Sequence, residues 1–419
     1  MTAASPASWI EELSTLPGPL AFEWVALLAL ATLAGHLVHR YAGLPKIIGY
    51  GVVGALAGWL GFAGAVWPLS GTGLFLLELS IAVVLFEAGA RLSLRWFRHN
   101  PMVLAQSLAE SLLTFAAAWL SLRALGLGVP VVRALSVIAV AASPTVLMRV
   151  MHDLRASGPV ADRALALATL NTLYALTIGT AMLRTIDRGD VTLLASMATS
   201  AGVLALTLLY GAALAALLAG ALRVLHPTSQ DTAIVILAML ALCTGITAPT
   251  GGSAPLAALL GGLLLKHMYR KPWVWPRQLG TAASMLNILM FVLVACAAAQ
   301  AGWSGAATLA ALALIAARMV AKALGLMGTS FGSGMTLTKS FWAGVALTPM
   351  SAVALLLTSR FVAASHTLGA QVANIALPAI LVTELLSAIL VTIALLRAGE
   401  AAPLWPSRRA GAAGEDTRA

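Results

Sequence analysis

Two stretches decide the reading of this sequence: Ala141-Ala142-Ser143-Pro144-Thr145-Val146-Leu147 and Ala346-Leu347-Thr348-Pro349-Met350-Ser351-Ala352. Each sets a hydroxyl residue directly before a proline, deep inside an apolar run. Proline has no amide hydrogen, and its ring clashes with the carbonyl one turn back, so a helix passing through either stretch is interrupted. In lipid the carbonyls freed by such a break must face protein or a water-filled cavity. The prolines are about 205 residues apart, which fits two six-helix halves after a leading helix.

The rest of the chain makes lipid the expected surroundings. It is 60% hydrophobic and 10% charged, where a soluble domain carries about a quarter charged residues. Residues 164–183, 191–222, 278–300, 340–359 and 367–383 contain no charge, and a bilayer is crossed by about 20 apolar residues. A soluble helical solenoid needs wet outer faces, and a membrane β-barrel alternates polar and apolar positions, so both are excluded. The expected fold is an all-α polytopic membrane protein of about 13 spans, near 20–39, 45–61, 72–91, 101–122, 130–150, 162–184, 191–222, 231–247, 253–267, 278–300, 303–325, 339–360 and 373–397, with discontinuous helices at Pro144 and Pro349. Residues 1–19 are read as an extracytoplasmic segment, 20–397 as the membrane domain and 398–419 as a short, disordered cytoplasmic tail.

Charge sets the orientation. With the N-terminus outside, 20 of the 25 Lys and Arg residues fall at inner ends and loops, as the positive-inside rule requires. A cell (inner) membrane with a cytoplasmic C-terminus is expected. The net charge of +10 is thus an orientation signal, not a nucleic-acid footprint. Cys243 and Cys296 lie within apolar runs and read as small hydrophobes. No metal-ligand spacing or cofactor motif is present.

Paired Pro- or Gly-interrupted spans point to a solute site at the membrane midplane. Around the two breaks stand Ser143, Thr145, Asn171, Thr172, Thr348 and Ser351, neutral oxygen donors suited to an alkali cation or to interhelical hydrogen bonds. Ionisable residues within spans are costly and count as functional candidates. Glu110 lies near the middle of the fourth span and Glu384 mid-span in the last. Lys322 and Arg318 lie in the eleventh span, where either snorkelling or pairing with Glu110 is open. Glu87 reads as an interfacial partner of Arg91. Glu78 belongs either to the outer headgroup region or to an outer cavity. Gly54 and Gly58 read as a close-packing face.

Leu44-Pro45-Lys46-Ile47-Ile48-Gly49-Tyr50 with Gly54-Ala55-Leu56-Ala57-Gly58, then Leu85-Phe86-Glu87-Ala88-Gly89-Ala90-Arg91-Leu92, the Ser143-Pro144-Thr145 break, Ala257 to Leu265, and Thr383-Glu384-Leu385 together resemble the monovalent cation:proton antiporter superfamily, in its sodium/proton and potassium-efflux branch. The resemblance spans roughly 20–397. It implies 13 helices in two inverted repeats, a homodimer, and a mobile core that carries its ion by an elevator-like movement, with a monovalent cation and a proton as partners. The sequence departs from the pattern after the second break, where Met350-Ser351-Ala352 stands in place of an R-G-E-like segment, and most of all in the sixth helix. The family's sixth helix carries an ion-binding Asp after Asn, and here Thr172 follows Asn171. A threonine hydroxyl ligates an ion but exchanges no proton near neutral pH. The expected activity is Na⁺ or K⁺ antiport against protons with the protonation site displaced to Glu110 or Glu384. The alternatives are a same-fold uniporter or carrier of an anionic or neutral solute, and a non-transporting sensor or partner protein.

Overall fold

The computed structural model describes residues 19–61, 67–69, 71–92, 94–185, 193–226, 229–247, 249–269, 277–302 and 304–401. Among these every regular element is helical: α1 Pro19–Leu37, extended by a π turn to Ala42, α2 Lys46–Trp59, α3 Gly71–Arg91, α4 Pro101–Ala124, α5 Val129–Val140, α6 Pro144–Leu154, α7 Pro159–Thr185, α8 Leu193–Val224, α9 Gln230–Thr247, α10 Ala254–Met268, α11 Arg277–Ala299, α12 Gly305–Gly328, α13 Leu337–Ala346, α14 Ser351–Ala364 and α15 His366–Arg397. A short helix, Leu94–His99, joins α3 to α4. Among the described residues ten helical segments are long and apolar enough to cross a membrane, with α5 and α6 counted as one, and α2, α10 and α14 are shorter apolar helices. Helix is the required solution, because each backbone N–H and C=O in lipid must be satisfied within its own segment.

Local chemistry places the helix starts. Pro101 and Pro144 occupy first-turn positions, where the missing amide costs nothing. The Ser304 and Thr336 side chains accept from the amides of Ala307 and Lys339, each at 3.3 Å, and so start α12 and α13.

The helices sort into two bundles. In one, α3 lies along α10 and α2 along α11, with α1, α8 and α9 packed around them. In the other, α4 lies along α12, and α5, α6, α7, α13, α14 and α15 complete the group. The contact of α3 with α10 repeats that of α11 with α2, as two inverted halves require. The helix left over in this pairing is α8, which connects the halves, so the extra helix lies between them and not at the front. Gly54 and Gly58 allow the close approach of α2 to α11: a Cβ on Gly54 would meet the Val292 carbonyl, and one on Gly58 would meet that of Cys296.

The last described residues return to the second bundle. Glu400 accepts from the amides of Val160 and Ala161, 2.8 Å each, and its carbonyl accepts from the Ser157 amide at 3.0 Å. The anionic side chain thus caps the start of α7. The first residues of the expected disordered tail are therefore held in place. Residues 1–18 and 402–419, most of the two terminal segments read from the sequence, lie outside the described residues.

Candidate functional site

The two prolines break their helices differently. Ser143 is the N-cap of α6 and Pro144 its first residue, so the Ser-Pro pair starts a new helix after the extended residues 141–143. Pro349 lies within the non-helical link 348–350, and α14 begins at Ser351. The two links cross, and the Ser143 amide donates to the Pro349 carbonyl at 2.9 Å. Four half-helices, α5, α6, α13 and α14, therefore end or begin at one buried point.

Arg318 on α12 fills that point. Its Nε donates to Ala139 O at 2.8 Å, and its Nη2 lies 2.6 Å from Ala141 O, 3.1 Å from Pro349 O and 3.3 Å from Leu347 O. Its Nη1 donates to Thr348 O. The carbonyls freed by the breaks, expected to face a solute, are thus largely taken up by a guanidinium. Its rigid fork of donors suits the task. The C-terminal ends of α5 and α13 each carry roughly half a negative charge, and the guanidinium balances both.

One turn on, Lys322 Nζ lies 2.6 Å from Glu110 Oε1, with both side chains fully buried. It also lies 3.4 Å from Val140 O. Lys322 therefore points inward and does not snorkel. The other contacts of Glu110 are neutral. Thr114 donates to Oε1 at 3.0 Å, and Asn171 Nδ2 donates to Oε2 at 2.7 Å. Asn171 Oδ1 in turn accepts from Ser111 at 3.0 Å and Ser107 at 3.3 Å. A Cβ on Gly325 of α12 would lie 2.8 Å from Glu110 Cα, so the glycine is what lets α12 close on α4 at this level.

Thr172 has a defined structural role. Its hydroxyl lies 2.6 Å from Ala142 O, in the broken link, and 2.9 Å from Ala168 O, in its own helix. It pins α7 to the crossing as a hydrogen-bond donor. An ionised carboxylate at this position would face Ala142 O with no hydrogen to offer. Ser143 and Thr145 touch through their hydroxyls at 2.5 Å. Thr348 Oγ1 donates to Val345 O at 2.8 Å and is spent on its own chain. The Ser351 side chain lies outside the described residues. Glu384 is buried elsewhere, on α15 against α2 near Gly51, and is not part of this cluster.

A cavity of about 510 Å³ leads toward the crossing from the basic ends of α3 and α6. Glu87 and Arg91 of α3, Thr145, Arg149 and His152 of α6, and Asn287 of α11 are among its walls. Glu87 and Arg91 form their expected pair at 2.6 Å. The Asn287 Oδ1 atom is buried with no hydrogen-bond partner among the described residues. The cavity lies between the two bundles and reaches Thr145, one contact short of Ser143.

The profile of the transmembrane sodium/hydrogen exchanger family matches residues 25–397. The chain belongs to the sodium/hydrogen exchanger family. Two solved structures of the sodium proton antiporter from Methanocaldococcus jannaschii, one at pH 8 and one from a three-dimensional electron-microscopy map, are each 17% identical to it. Each match covers 90% of this chain and 98% of the other, with TM-scores of 0.68 and 0.69. That likeness establishes the fold. No curated protein sequence matches. Family and fold are those of a multi-pass transporter of the cation:proton antiporter type, not of an enzyme.

Several members of this cluster were not singled out from the sequence. Ser107, Ser111 and Thr114 follow one another at intervals of four and three around Glu110, a polar stripe on one face of a mostly apolar helix, and that spacing was readable. Gln106 continues the stripe and accepts from Arg163 at 2.9 Å. Asn287 carried no comparable signal, being a lone amide in an apolar run.

Proposed function

We propose that this protein exchanges a monovalent cation, Na⁺ or K⁺, for a proton, and that the buried Glu110–Lys322 pair is the exchanging unit. The observation that carries the reading is the 2.6 Å contact between two fully buried, oppositely charged groups, placed beside the broken helices of an exchanger fold. A carboxylate out of water requires one positive partner. That partner is either the Lys322 ammonium or a cation occupying its place. When a cation moves onto Glu110 Oε1, with Thr114 Oγ1 and the Val140 carbonyl in reach, Lys322 gives up one proton. When the cation leaves, Lys322 takes a proton back. The pair is neutral in both states, so one cation exchanges for one proton without net charge movement. Ser143 and Thr145 form the passage from the cavity, and Asn171 orients Glu110. Thr172 is a positioning residue, Thr348 opens the second link, and Ser351 begins the helix that follows it.

The basic side, onto which the cavity opens, is the cytoplasmic side in this reading, with the N-terminus outside. The division into two bundles supports an elevator-like movement of the α4–α7 and α12–α15 group against the other, and the same division supports a homodimer held by the stationary group.

The test is flux in liposomes carrying purified protein and an inward-acid pH gradient. Addition of Na⁺ or K⁺ collapses the gradient with wild-type protein and fails to do so with Glu110→Gln. A wild type that leaves the gradient intact under every cation sinks the proposal. One observation favours a second reading, transport of an anionic solute. Arg91, Arg149, Arg318 and Lys322 outnumber Glu87 and Glu110 along the cavity and crossing. Anion-dependent flux without proton movement in the same liposomes identifies that case.

A further inference from the structure

At the end of the molecule away from the cavity, one ion pair joins the two bundles. Glu78 lies in the first half of α3 and Arg360 one turn before the end of α14. Arg360 Nη2 and Nε lie 2.6 and 3.2 Å from the same oxygen, Glu78 Oε1. The side chains are 5% and 18% exposed. The position of Glu78, left open between headgroups and an outer cavity, is therefore neither: it is held inside the bundle interface.

We infer that Glu78 and Arg360 form a latch that closes the passage on the side opposite the cavity, and that the latch opens when the cavity side closes. The inference rests on the transport reading above, but not on which ion is carried. Three observations support it. First, the two residues belong to different bundles. Second, the cavity between the same bundles opens at the far ends of α3 and α6, where Glu87, Arg91 and His152 line it. Third, α14 is the half-helix that starts at the crossing and carries Arg360 to the other end. Any displacement of the α14 group along α3 moves Arg360 relative to Glu78 while it rearranges the crossing. A short, mostly buried ion pair is a two-state contact. Made, it satisfies both charges. Broken, it leaves Glu78 uncompensated unless water enters, and water enters when that side opens. The pair therefore favours the conformation in which only the cavity side is open.

The test reads accessibility, not transport. In a Cys243→Ala, Cys296→Ala background, Ser284→Cys places one thiol on the cavity wall. A membrane-impermeant maleimide then reports how often the cavity is open. Glu78→Gln and, separately, Arg360→Gln are expected to slow labelling from the cavity side by about threefold or more, as the population shifts to the opposite state. The exchanged pair Glu78→Arg with Arg360→Glu is expected to restore it. Thermal unfolding of each variant separates a shifted population from misfolded protein. Unchanged labelling in both folded single variants overturns the latch. Equally slow labelling in the exchanged pair overturns it as well, because the contact itself was then not responsible. Absence of cation-dependent proton flux in the wild type defeats the transport reading instead, and the two failures are distinct.

Discussion

Glu110 and Lys322 have no water to fall back on, so their substitutions separate structure from coupling. Removing one member strands a charge in the bilayer interior. Lys322→Met is expected to cost on the order of 3–5 kcal/mol, seen as a lower unfolding temperature in detergent. Glu110→Gln combined with Lys322→Met is expected to recover most of that stability and none of the exchange. Recovered exchange in the double variant would place the proton elsewhere, Glu384 being the next candidate. Thr172 makes the second case. Thr172→Val keeps the shape and withdraws the donor from Ala142 O, with an expected loss of about 1–3 kcal/mol, while Thr172→Ser is expected to be close to wild type. Thr172→Asp introduces the acid that the family usually carries there, but opposite a carbonyl. The expected result is a less stable protein with no gain of exchange. A Thr172→Asp protein that exchanges cations where the wild type does not would mean the natural chain lacks the activity.

For the elements, the packing of α4 on α12 sets the distance between Glu110 and Lys322. Gly325→Ala drives a methyl group into the Glu110 backbone. Overpacking of this kind costs about 1–3 kcal/mol, and here it also pushes the carboxylate away from the lysine. Gly328→Ala, three residues on in the same helix, meets open space and serves as the control. Reduced flux and stability in Gly325→Ala with none in Gly328→Ala is the expected pattern, and equal behaviour of the two would show that the close approach has no bearing on the pair. The half-helices follow the same logic. Ser143-Pro144 is a cap and a first residue, so the sequence pattern there is a start signal. Thr348-Pro349 lies wholly in the link, and its carbonyls reach Arg318.

At the scale of the molecule, the proposed mechanism has proton and cation compete for one buried negative charge. Linkage then requires that protons weaken cation binding as much as the cation weakens proton binding. For one-to-one competition, the cation concentration giving half-maximal flux should rise about tenfold for each pH unit of acidification while protons hold the site. Because the pair stays neutral, a potassium-diffusion potential imposed with valinomycin should leave the rate of Na⁺-driven proton flux unchanged. A rate that follows the imposed potential would require a carried charge and a different stoichiometry.

What could be read without coordinates follows from local rules. Apolar run length, the scarcity of charge and the placement of Lys and Arg specify a multi-pass helical membrane protein, because continuous apolar runs without alternation satisfy their backbone in lipid only as helices. Proline chemistry marks both breaks for the same reason. Glu110, Lys322, Arg318 and Asn171 stand out singly, because a polar group in a span is expensive wherever it points. What those groups do to one another depends on three-dimensional neighbours that sequence distance hides. Glu110 and Lys322 are 212 residues apart and meet at 2.6 Å, and Glu78 and Arg360 are 282 apart and meet at the same distance. Only tertiary packing gave the freed carbonyls to Arg318, turned Thr172 into a donor for the crossing and left Glu384 outside the cluster. A buried charge is stabilised by whichever opposite charge or dipole is close enough. Closeness in a bundle is decided by which helices cross, and no local pattern encodes that.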